Sequence, residues 1–217
     1  SSVSHEFRTP LAVIYSASEN LADGVTKDVV QVSRYGNLIK GEGRKLSAMV
    51  EQILQFAGAR SGKKKYSFSP VSVAAIVDAA IAECRPMLDE KGFEIKSSVD
   101  ENLPLIKADA DALSTALQNL ISNSVKYSNG SRSLCITASN GNRRIKLTVE
   151  DKGLGIAADD LKHIFEPFYR AKDVVDAQIN GNGLGLALVK DIAEAHGGRV
   201  RAKSEPGIGS EFVIELP

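Results

Sequence analysis

The sequence predicts an α+β protein, and three observations lead to that class. Through residues 1–58, apolar residues recur at steps of three and four, the spacing of amphipathic helices. Residues 59–67 are rich in Gly, Ser and Lys, which indicates a linker. In residues 68–217, helical and strand patterns alternate, and strands that follow each other directly favour antiparallel pairing in a layered domain. We therefore expect two domains, 1–58 and 68–217, joined by this linker.

The first helix is predicted to carry a coiled-coil seam with one polar member. The seam residues are Phe7, Leu11, Ile14, Ser18 and Leu21. His5, Glu6 and Thr9 fall outside this stripe, so we expect His5 to be exposed, with Thr9 one turn later on the same face. Pro10 would cost a helix interior ~3 kcal/mol. The stretch is therefore either a helix start or a functional site.

The second predicted helix follows a turn at residues 23–24, with Thr26 or Asp28 as its cap. Its seam residues are Ile39, Leu46, Val50, Ile53 and Ala57. Gly41 and Gly43 cost this helix ~1 kcal/mol each relative to alanine, which indicates either close packing against the first helix or a soft point. Because an antiparallel hairpin of this length cannot bury both seams alone, we expect a homodimer with a four-helix bundle.

The second region combines helical spacing with several strands of period two. The predicted helices are Val73–Glu90, Ala110–Tyr127 and 184–196. The predicted strands are Phe93–Val99, Ser133–Ser139, Ile145–Asp151, Gly198–Ser204 and Ser210–Leu216. His196 precedes two glycines at a helix end, where an imidazole can bind the last carbonyls, so a structural role is expected for it.

Composition argues against several classes of partner. The formal net charge is zero, so we expect no nucleic-acid partner, and three lysines at 63–65 indicate a solvated linker. Cys84 and Cys135 have neither zinc-site nor disulfide spacing. No apolar stretch approaches the ~20 residues that span a bilayer, so no membrane contact is expected within this segment. Residue 1 falls directly before the SHEFRTPL stretch, and we expect a piece of a longer protein.

Three glycine clusters interrupt the second region, at 151–156, 181–186 and 207–209. The second one opens a predicted helix, where backbone amides and the helix dipole favour an anion. It lacks the Gly-Lys-Ser/Thr of a Walker loop, and the spacing of a Rossmann glycine motif after an early strand is also missing. The cluster therefore indicates an anion site of another kind.

Polar residues share one face of the predicted helix 110–127. Asn119 and Asn123 are four residues apart, and Lys126 follows three residues later. Asparagine is a poor residue for a helix interior, so two on one stripe need a reason. Either they bond core backbone, or an amide oxygen completes a Mg²⁺ shell while the lysine neutralises phosphate.

Five stretches together resemble the sensor histidine kinases, in the order and approximate spacing of that family. They are SHEFRTPL at 4–11, NLISNSVKYS at 119–128, DKGLGI from 151, FEPFYR from 165 and GNGLGL from 181. The resemblance implies a dimerisation and phosphotransfer domain at 1–58 and a Bergerat-type α/β sandwich at 68–217, with a mixed, mostly antiparallel sheet.

For the first domain, the resemblance implies that the Nε2 atom of His5 attacks the γ-phosphorus of ATP. Glu6 would orient the ring through Nδ1 and accept its proton. Thr9 matches the position at which a hydroxyl orients water when the partner is dephosphorylated, so phosphatase activity is implied as well. Pro10 would weaken the helix and let it bend as the ATP-binding domain approaches.

For the second domain, the resemblance implies ATP and Mg²⁺ as ligands. Asn123 would hold the metal with support from Asn119, Lys126 would lie near phosphate, and Tyr127 near the nucleoside. Asp151 would accept a hydrogen bond from the adenine amino group. The remaining ATP-binding positions are Gly153, Gly155, Ile156, Arg170, Gly181, Gly183, Leu184, Gly185 and Leu186.

Residues 171–180 resemble a lid that orders over nucleotide, with Arg170 placed to contact the γ-phosphate. Phe165 and Phe168 are expected to dock this lid rather than contact the ligand.

The activity implied is autophosphorylation of His5 and transfer of the phosphoryl group to an aspartate of a response-regulator receiver domain, in the cytoplasm where ATP is available. The alternative is a nucleotide-binding scaffold without catalysis that regulates a partner by conformation.

Overall fold

The computed structural model describes residues 2–25, 28–60, 65–141, 144–171, 179 and 181–217. The chain divides into two compact units. The helical unit comprises residues 1–57 with 180–182, and the globular unit comprises residues 58–179 with 183–217.

The helical unit contains α1 (Ser2–Ala22) and α2 (Val29–Arg60). Pro10 lies inside α1, and the helix continues beyond it, so the stretch is not a helix start. The predicted turn at residues 23–24 is present, with Gly24 at a φ of 62°. Asp28 caps α2, because its Oδ1 accepts a hydrogen bond of 3.1 Å from the Val30 amide. The alternative cap, Thr26, lies outside the described residues.

Within the single chain, some of the predicted seam residues are half-buried and others are exposed. In α1, Phe7, Ile14 and Leu21 are half-buried as expected, but Leu11 and Ser18 are exposed. The residues one position earlier, Pro10 and Ala17, are buried instead. The reason is that the apolar stripe is broader than the face that one chain buries.

In α2, three of the five predicted seam residues are half-buried: Ile39, Leu46 and Ile53. Val50 and Ala57 are exposed, and Phe56 is buried in place of Ala57. An ideal Cβ on Gly41 or Gly43 would meet no atom of the described residues within 4 Å. Close packing against α1 therefore does not explain these glycines, and of the two alternatives the soft point remains.

The described elements of the globular unit follow a regular order. They are β1 (Ser69–Val71), α3 (Val73–Lys91), β2 (Glu94–Val99), β3 (Ile106–Ala108), α4 (Ala110–Lys126), β4 (Ser133–Gly141), β5 (Arg144–Asp151), a 3-10 turn (Asp160–Lys162), α5 (Gly185–Ala195), β6 (Arg199–Glu205) and β7 (Gly209–Leu216). All predicted helices and strands are confirmed. The strands β1 and β3 and the 3-10 turn were not predicted, because three residues are too short to show a period.

The main sheet has the strand order β2-β4-β5-β7-β6. Only the β2–β4 pair is parallel among these strands, so the sheet is mixed and mostly antiparallel, as predicted. Strands β1 and β3 form a separate antiparallel pair. In the register of β5 with β7, Asp151 lies opposite Ser210, which brings the end of β5 beside the start of β7.

The core of the globular unit lies between the sheet and its helices. Alternate residues of β4, β5 and β7 are buried, which gives the sheet one apolar face. Helix α4 packs against both α3 and α5. Its fully buried residues Leu113, Leu117, Leu120 and Ile121 fix its rotation about its own axis. This rotation decides which α4 side chains face β5 and which face α5.

Asp109 joins three parts of the globular unit at the start of α4. Its Oδ1 accepts the Ala112 amide at 2.9 Å and caps the helix, and its Oδ2 accepts the Ser67 amide at 2.8 Å. Its own amide donates to Nε2 of His196 at 3.0 Å, and Nδ1 of that ring lies 2.8 Å from the Ile192 carbonyl, to which it donates. The expected structural role of His196 at the end of α5 is confirmed.

Within the described part of the chain, no helix is long and apolar enough to cross a bilayer.

Candidate functional site

Asp151 ends β5 with a buried carboxylate that accepts several hydrogen bonds. Its side chain is 8% exposed. Oδ1 accepts the Gly153 amide at 2.9 Å, and Oδ2 accepts the Ser124 hydroxyl at 3.2 Å. Burial raises the pKa of the Asp151 carboxyl, while hydrogen bonds from Gly153, Ser124 and the backbone of Ser210 oppose this rise. The result is a fixed hydrogen-bond acceptor at the C-terminal end of the central strand β5.

Gly153 allows the loop after β5 to approach the end of α4. A Cβ there would lie 2.2 Å from the Tyr127 carbonyl oxygen, which is closer than atoms can approach. The same carbonyl accepts the Leu154 amide at 2.9 Å. The predicted close approach of the backbone is therefore present.

Gly155 makes a second close approach, toward the loop between β6 and β7. Its φ of +69° is left-handed, and a Cβ would lie 2.0 Å from the Glu205 carbonyl oxygen. The Ile156 amide donates to Oγ of Ser204 at 2.8 Å. The loops at 151–156 and 205–209 therefore form one wall together.

Asn119 and Asn123 face the start of α5, as the spacing of the sequence implied for a shared stripe. A Cβ on Gly185 would lie 3.0 Å from Oδ1 of Asn119 and 4.0 Å from Nδ2 of Asn123. Nδ2 of Asn119 donates to the Thr115 carbonyl at 2.9 Å. Of the two alternatives for these asparagines, backbone bonding is thus confirmed for the Asn119 amide nitrogen.

Gly183, which precedes α5, contacts the FEPFYR stretch at 165–170. The Gly183 carbonyl accepts the Phe168 amide at 3.0 Å, and a Cβ on Gly183 would lie 2.7 Å from the Tyr169 carbonyl oxygen. Leu184 is buried and Leu186 half-buried beside it. Gly181 belongs to the helical unit rather than to this one.

The two basic residues predicted to contact phosphate, Lys126 and Arg170, lie in different parts of the globular unit. The Lys126 ammonium is 4.9 Å from the centroid of the Tyr127 ring, at the C-terminal end of α4. Arg170 donates to the Ile179 carbonyl and so connects the two ends of the predicted lid. Residues 172–178 and 180 of that lid lie outside the described residues. The contact of Arg170 with a γ-phosphate stays a prediction.

The predicted phosphoacceptor stretch lies on α1. Glu6 is half-buried and Thr9 is exposed. The His5 side chain is not among the described ones, so its expected exposure stays a prediction.

Two serines that were not predicted from the sequence form hydrogen bonds with residues of this site: Ser124 and Ser204. Ser124 is four residues after Leu120 and seven after Leu117, so it falls on the core stripe of α4. A serine at a core position needs a hydrogen-bond partner, and this rule could have identified Ser124. No sequence feature identified Ser204, because its hydrogen bond with the Ile156 amide forms only when the loop at 151–156 packs against β6.

Metal chemistry at this site has few protein ligands to use. Among the described residues, no group of three or more His, Cys, Asp or Glu could hold a metal ion. The amide oxygens of Asn119 and Asn123 fit a Mg²⁺ ion that is held mainly by phosphate and water, because Mg²⁺ takes few protein ligands beside nucleotide.

Family models match both parts of the chain. Residues 108–217 match the histidine kinase-, DNA gyrase B- and HSP90-like ATPase model. Residues 1–62 match the His Kinase A phospho-acceptor domain. The chain therefore belongs to the histidine kinase-, DNA gyrase B- and HSP90-like ATPase family, as the catalytic portion of a two-component sensor histidine kinase.

Individual relatives agree with this assignment. The sensor-like histidine kinase SenX3 of Mycobacterium tuberculosis is 32% identical over 99% of this chain, which spans 52% of SenX3. The histidine kinase AdeS of Acinetobacter baumannii is 25% identical with a TM-score of 0.74, covering 98% of this chain and 96% of that one. Full-length ShkA, solved in complex with AMPPNP, is 33% identical with a TM-score of 0.74, covering 99% of this chain and 44% of that one. The chain thus spans about half the length of the curated relative.

Proposed function

We propose that this chain phosphorylates its own His5 from Mg-ATP and transfers the phosphoryl group to an aspartate of a response-regulator receiver domain. The observation that carries the proposal is the Asp151 carboxylate, held by the Gly153 amide and the Ser124 hydroxyl beside the asparagine face of α4. Helix α4 then contacts the proposed base-recognising carboxylate through Ser124 and presents its two asparagines to the proposed phosphate site.

Asp151 selects adenine in this proposal. An ionised carboxylate accepts hydrogen bonds only, so it pairs with the exocyclic amino group of adenine and repels the carbonyl oxygen of guanine at that position. Gly153 and Gly155 let the loop that would line the base pack against the Tyr127 and Glu205 carbonyls, because a Cβ at either glycine would overlap these oxygens. Ile156, Leu184 and Leu186 supply apolar surface, and Tyr127 lies toward the nucleoside.

The phosphate end is assigned to α4 and the start of α5. Asn123, with Asn119, would hold Mg²⁺, which neutralises charge on the phosphate oxygens when bound. Lys126 would pair with a phosphate oxygen. Amides of the Gly181, Gly183 and Gly185 segment donate to phosphate, as helix N-termini do, and Arg170 lies toward the γ-phosphate.

The transfer itself is an in-line displacement at phosphorus. The Nε2 lone pair of His5 forms a bond to the γ-phosphorus while the bond to the bridging oxygen breaks, and ADP leaves. Glu6 accepts the Nδ1 proton, so the ring does not carry an extra charge. Imidazole suits this role because its ordinary pKa of ~6.5 leaves it mostly neutral at pH 7.

The helical unit would form the homodimer and dock the receiver domain. Exposed apolar residues support this, among them Leu11, Tyr15, Val50 and Leu54. We assign residues 1–58 to dimerisation and phosphotransfer, 59–67 to a linker and 68–217 to ATP binding. Dependence on ATP puts this segment in the cytoplasm. Thr9, exposed one turn after His5, would orient water if the chain also dephosphorylates its partner.

Incubation of the purified chain with γ-labelled ATP and Mg²⁺ tests the proposal. We expect acid-labile, alkali-stable label in the wild type, none in His5→Ala, and normal labelling in His163→Ala, an exposed histidine that serves as the matched control. Asn123→Ala should lower the labelling rate by two orders of magnitude or more. Normal ATP binding without label in the wild type would instead support the scaffold.

A further inference from the structure

Ser124 joins α4 to the end of β5 through one buried hydrogen bond. The residue is 1% exposed, and its hydroxyl donates to Oδ2 of Asp151 at 3.2 Å. The two residues are 27 positions apart in sequence. The bond connects the helix that carries both asparagines with the carboxylate to which we assign adenine recognition.

We propose that Ser124 is a specificity-positioning residue for the nucleotide base: its hydroxyl holds the Asp151 carboxylate in the orientation that accepts the adenine amino group. This inference rests on the proposed function of the same site. It adds a residue that was not among the site residues predicted from the sequence.

The hydrogen bonds around Asp151 fix the plane of its carboxylate. The Gly153 amide holds Oδ1 at 2.9 Å, and the Ser124 hydroxyl holds Oδ2 from another element. A carboxylate has about four acceptor sites, so lone pairs remain for the base after these bonds form. Without Ser124, Oδ2 loses the donor from α4, and only the backbone donors of Gly153 and Ser210 restrain the χ2 torsion of the carboxylate.

Ser124 also favours the ionised form of Asp151. Burial raises the pKa of the Asp151 carboxyl, and the Ser124 hydroxyl is among the donors that lower it again. A protonated carboxyl that points its hydrogen at the base cannot accept the amino group. Loss of the serine should therefore move the acid limit of ATP binding to higher pH.

The position of Ser124 directly after Asn123 links the two ends of the nucleotide site. Successive residues of a helix point about 100° apart. Asn123 faces the start of α5, whereas Ser124 faces β5. A rotation of α4 would therefore disturb both contacts together, and the buried bond at Ser124 opposes such a rotation.

Calorimetric titration of the full chain with two magnesium nucleotides tests the inference. ATP carries the exocyclic amino group, and purine riboside triphosphate lacks it. We expect Ser124→Ala to weaken ATP binding about fivefold to tenfold, since a typical intramolecular hydrogen bond contributes about 1 kcal/mol. Binding of the purine analogue should change less than twofold. Ser124→Cys, a weaker donor of similar size, should give an intermediate loss for ATP.

Ser114→Ala is the matched control, because Ser114 is a buried serine on the same helix whose hydroxyl accepts from Gln118 instead. It should change neither affinity. A pH series should show the acid loss of ATP binding at higher pH in Ser124→Ala than in the wild type.

Equal weakening of both nucleotides by Ser124→Ala would indicate a purely structural serine and overturn the inference. Unchanged ATP binding in that variant would overturn it as well while leaving the proposed function standing. A wild-type chain that bound neither nucleotide would refute the proposed function itself and the inference with it.

Discussion

The helical unit and the globular unit use their apolar side chains in different ways. In the globular unit, large side chains such as Leu113, Leu117, Leu120 and Leu134 have no exposed surface. In the described part of the helical unit, the buried apolar residues are Pro10, Ala17 and Phe56. Nine of its described large apolar residues are exposed: Leu11, Tyr15, Val25, Val29, Val30, Val32, Leu38, Val50 and Leu54.

This difference shows which unit is complete by itself. Burial of apolar surface stabilises a fold by roughly 25 cal/mol per Å², and the globular unit collects that stabilisation within one chain. Paired helices with an uncovered apolar stripe do not, because most helical stability in proteins comes from tertiary packing. The exposed apolar residues of the helical unit therefore support the proposed homodimer.

The glycines of the two units also differ in how closely other atoms pack against them. At Gly41, Gly43 and Gly58 of α2, a Cβ would meet no atom within 4 Å. At Gly153 and Gly155, a Cβ would overlap a backbone carbonyl oxygen. Glycine is a packing requirement in the loop after β5, whereas along α2 it only lowers helix propensity.

Gly155→Ala should have the largest effect on this comparison. The left-handed conformation costs a non-glycine residue about 1–2 kcal/mol, and the overlap with the Glu205 carbonyl adds further strain, so we expect a loss of on the order of 3 kcal/mol or more in the globular unit. Urea denaturation with hydrogen exchange measures the loss and localises it. Gly130→Ala is the control, because its φ of +85° is also left-handed while its surroundings are open. Equal losses in both variants would show that the close approach is unimportant.

Leu54→Asp should affect only the helical unit. Leu54 is 65% exposed, and an aspartate there would put a charge into the expected dimer interface, which should weaken dimerisation roughly tenfold or more. Mg-ATP affinity should not change. Ala48→Asp adds the same charge at an exposed position of α2 about 120° around the helix, and it should leave the dimer intact. Sedimentation velocity over a concentration series measures both; an unchanged dimer in Leu54→Asp would argue against this interface.

Gly41→Ala and Gly43→Ala should have the smallest effect, and it should be stabilising. Each replacement is expected to raise the stability of the helical unit by ~0.5–1 kcal/mol, because alanine has the higher helix propensity and finds open space at both positions. Gly24→Ala, at a φ of +62° in the turn, should destabilise instead. Thermal melts followed by circular dichroism distinguish these signs. A loss of stability at Gly41 would indicate that a second copy packs there.

Much of this molecule could be predicted from local pattern. The period of α4 placed Asn119 and Asn123 on one face, and the glycine clusters placed the loops, because both features depend on neighbours within a few residues. The exposure of Leu11 and Ser18 in the single chain could not be predicted, because a stripe of apolar residues does not say which of its edges one chain buries. The bond between Ser124 and Asp151 could not be predicted, because it joins residues 27 positions apart.

The sequence by itself determined the two-part organisation, the order of the helices and strands, and the family motifs, because periodicity and motif spacing are local properties of the chain. Only the tertiary structure decided how α4 is rotated, which serine binds the Asp151 carboxylate and which glycines leave no room for a side chain. These features depend on distances between elements that are remote in sequence, and such distances are fixed only when the core packs.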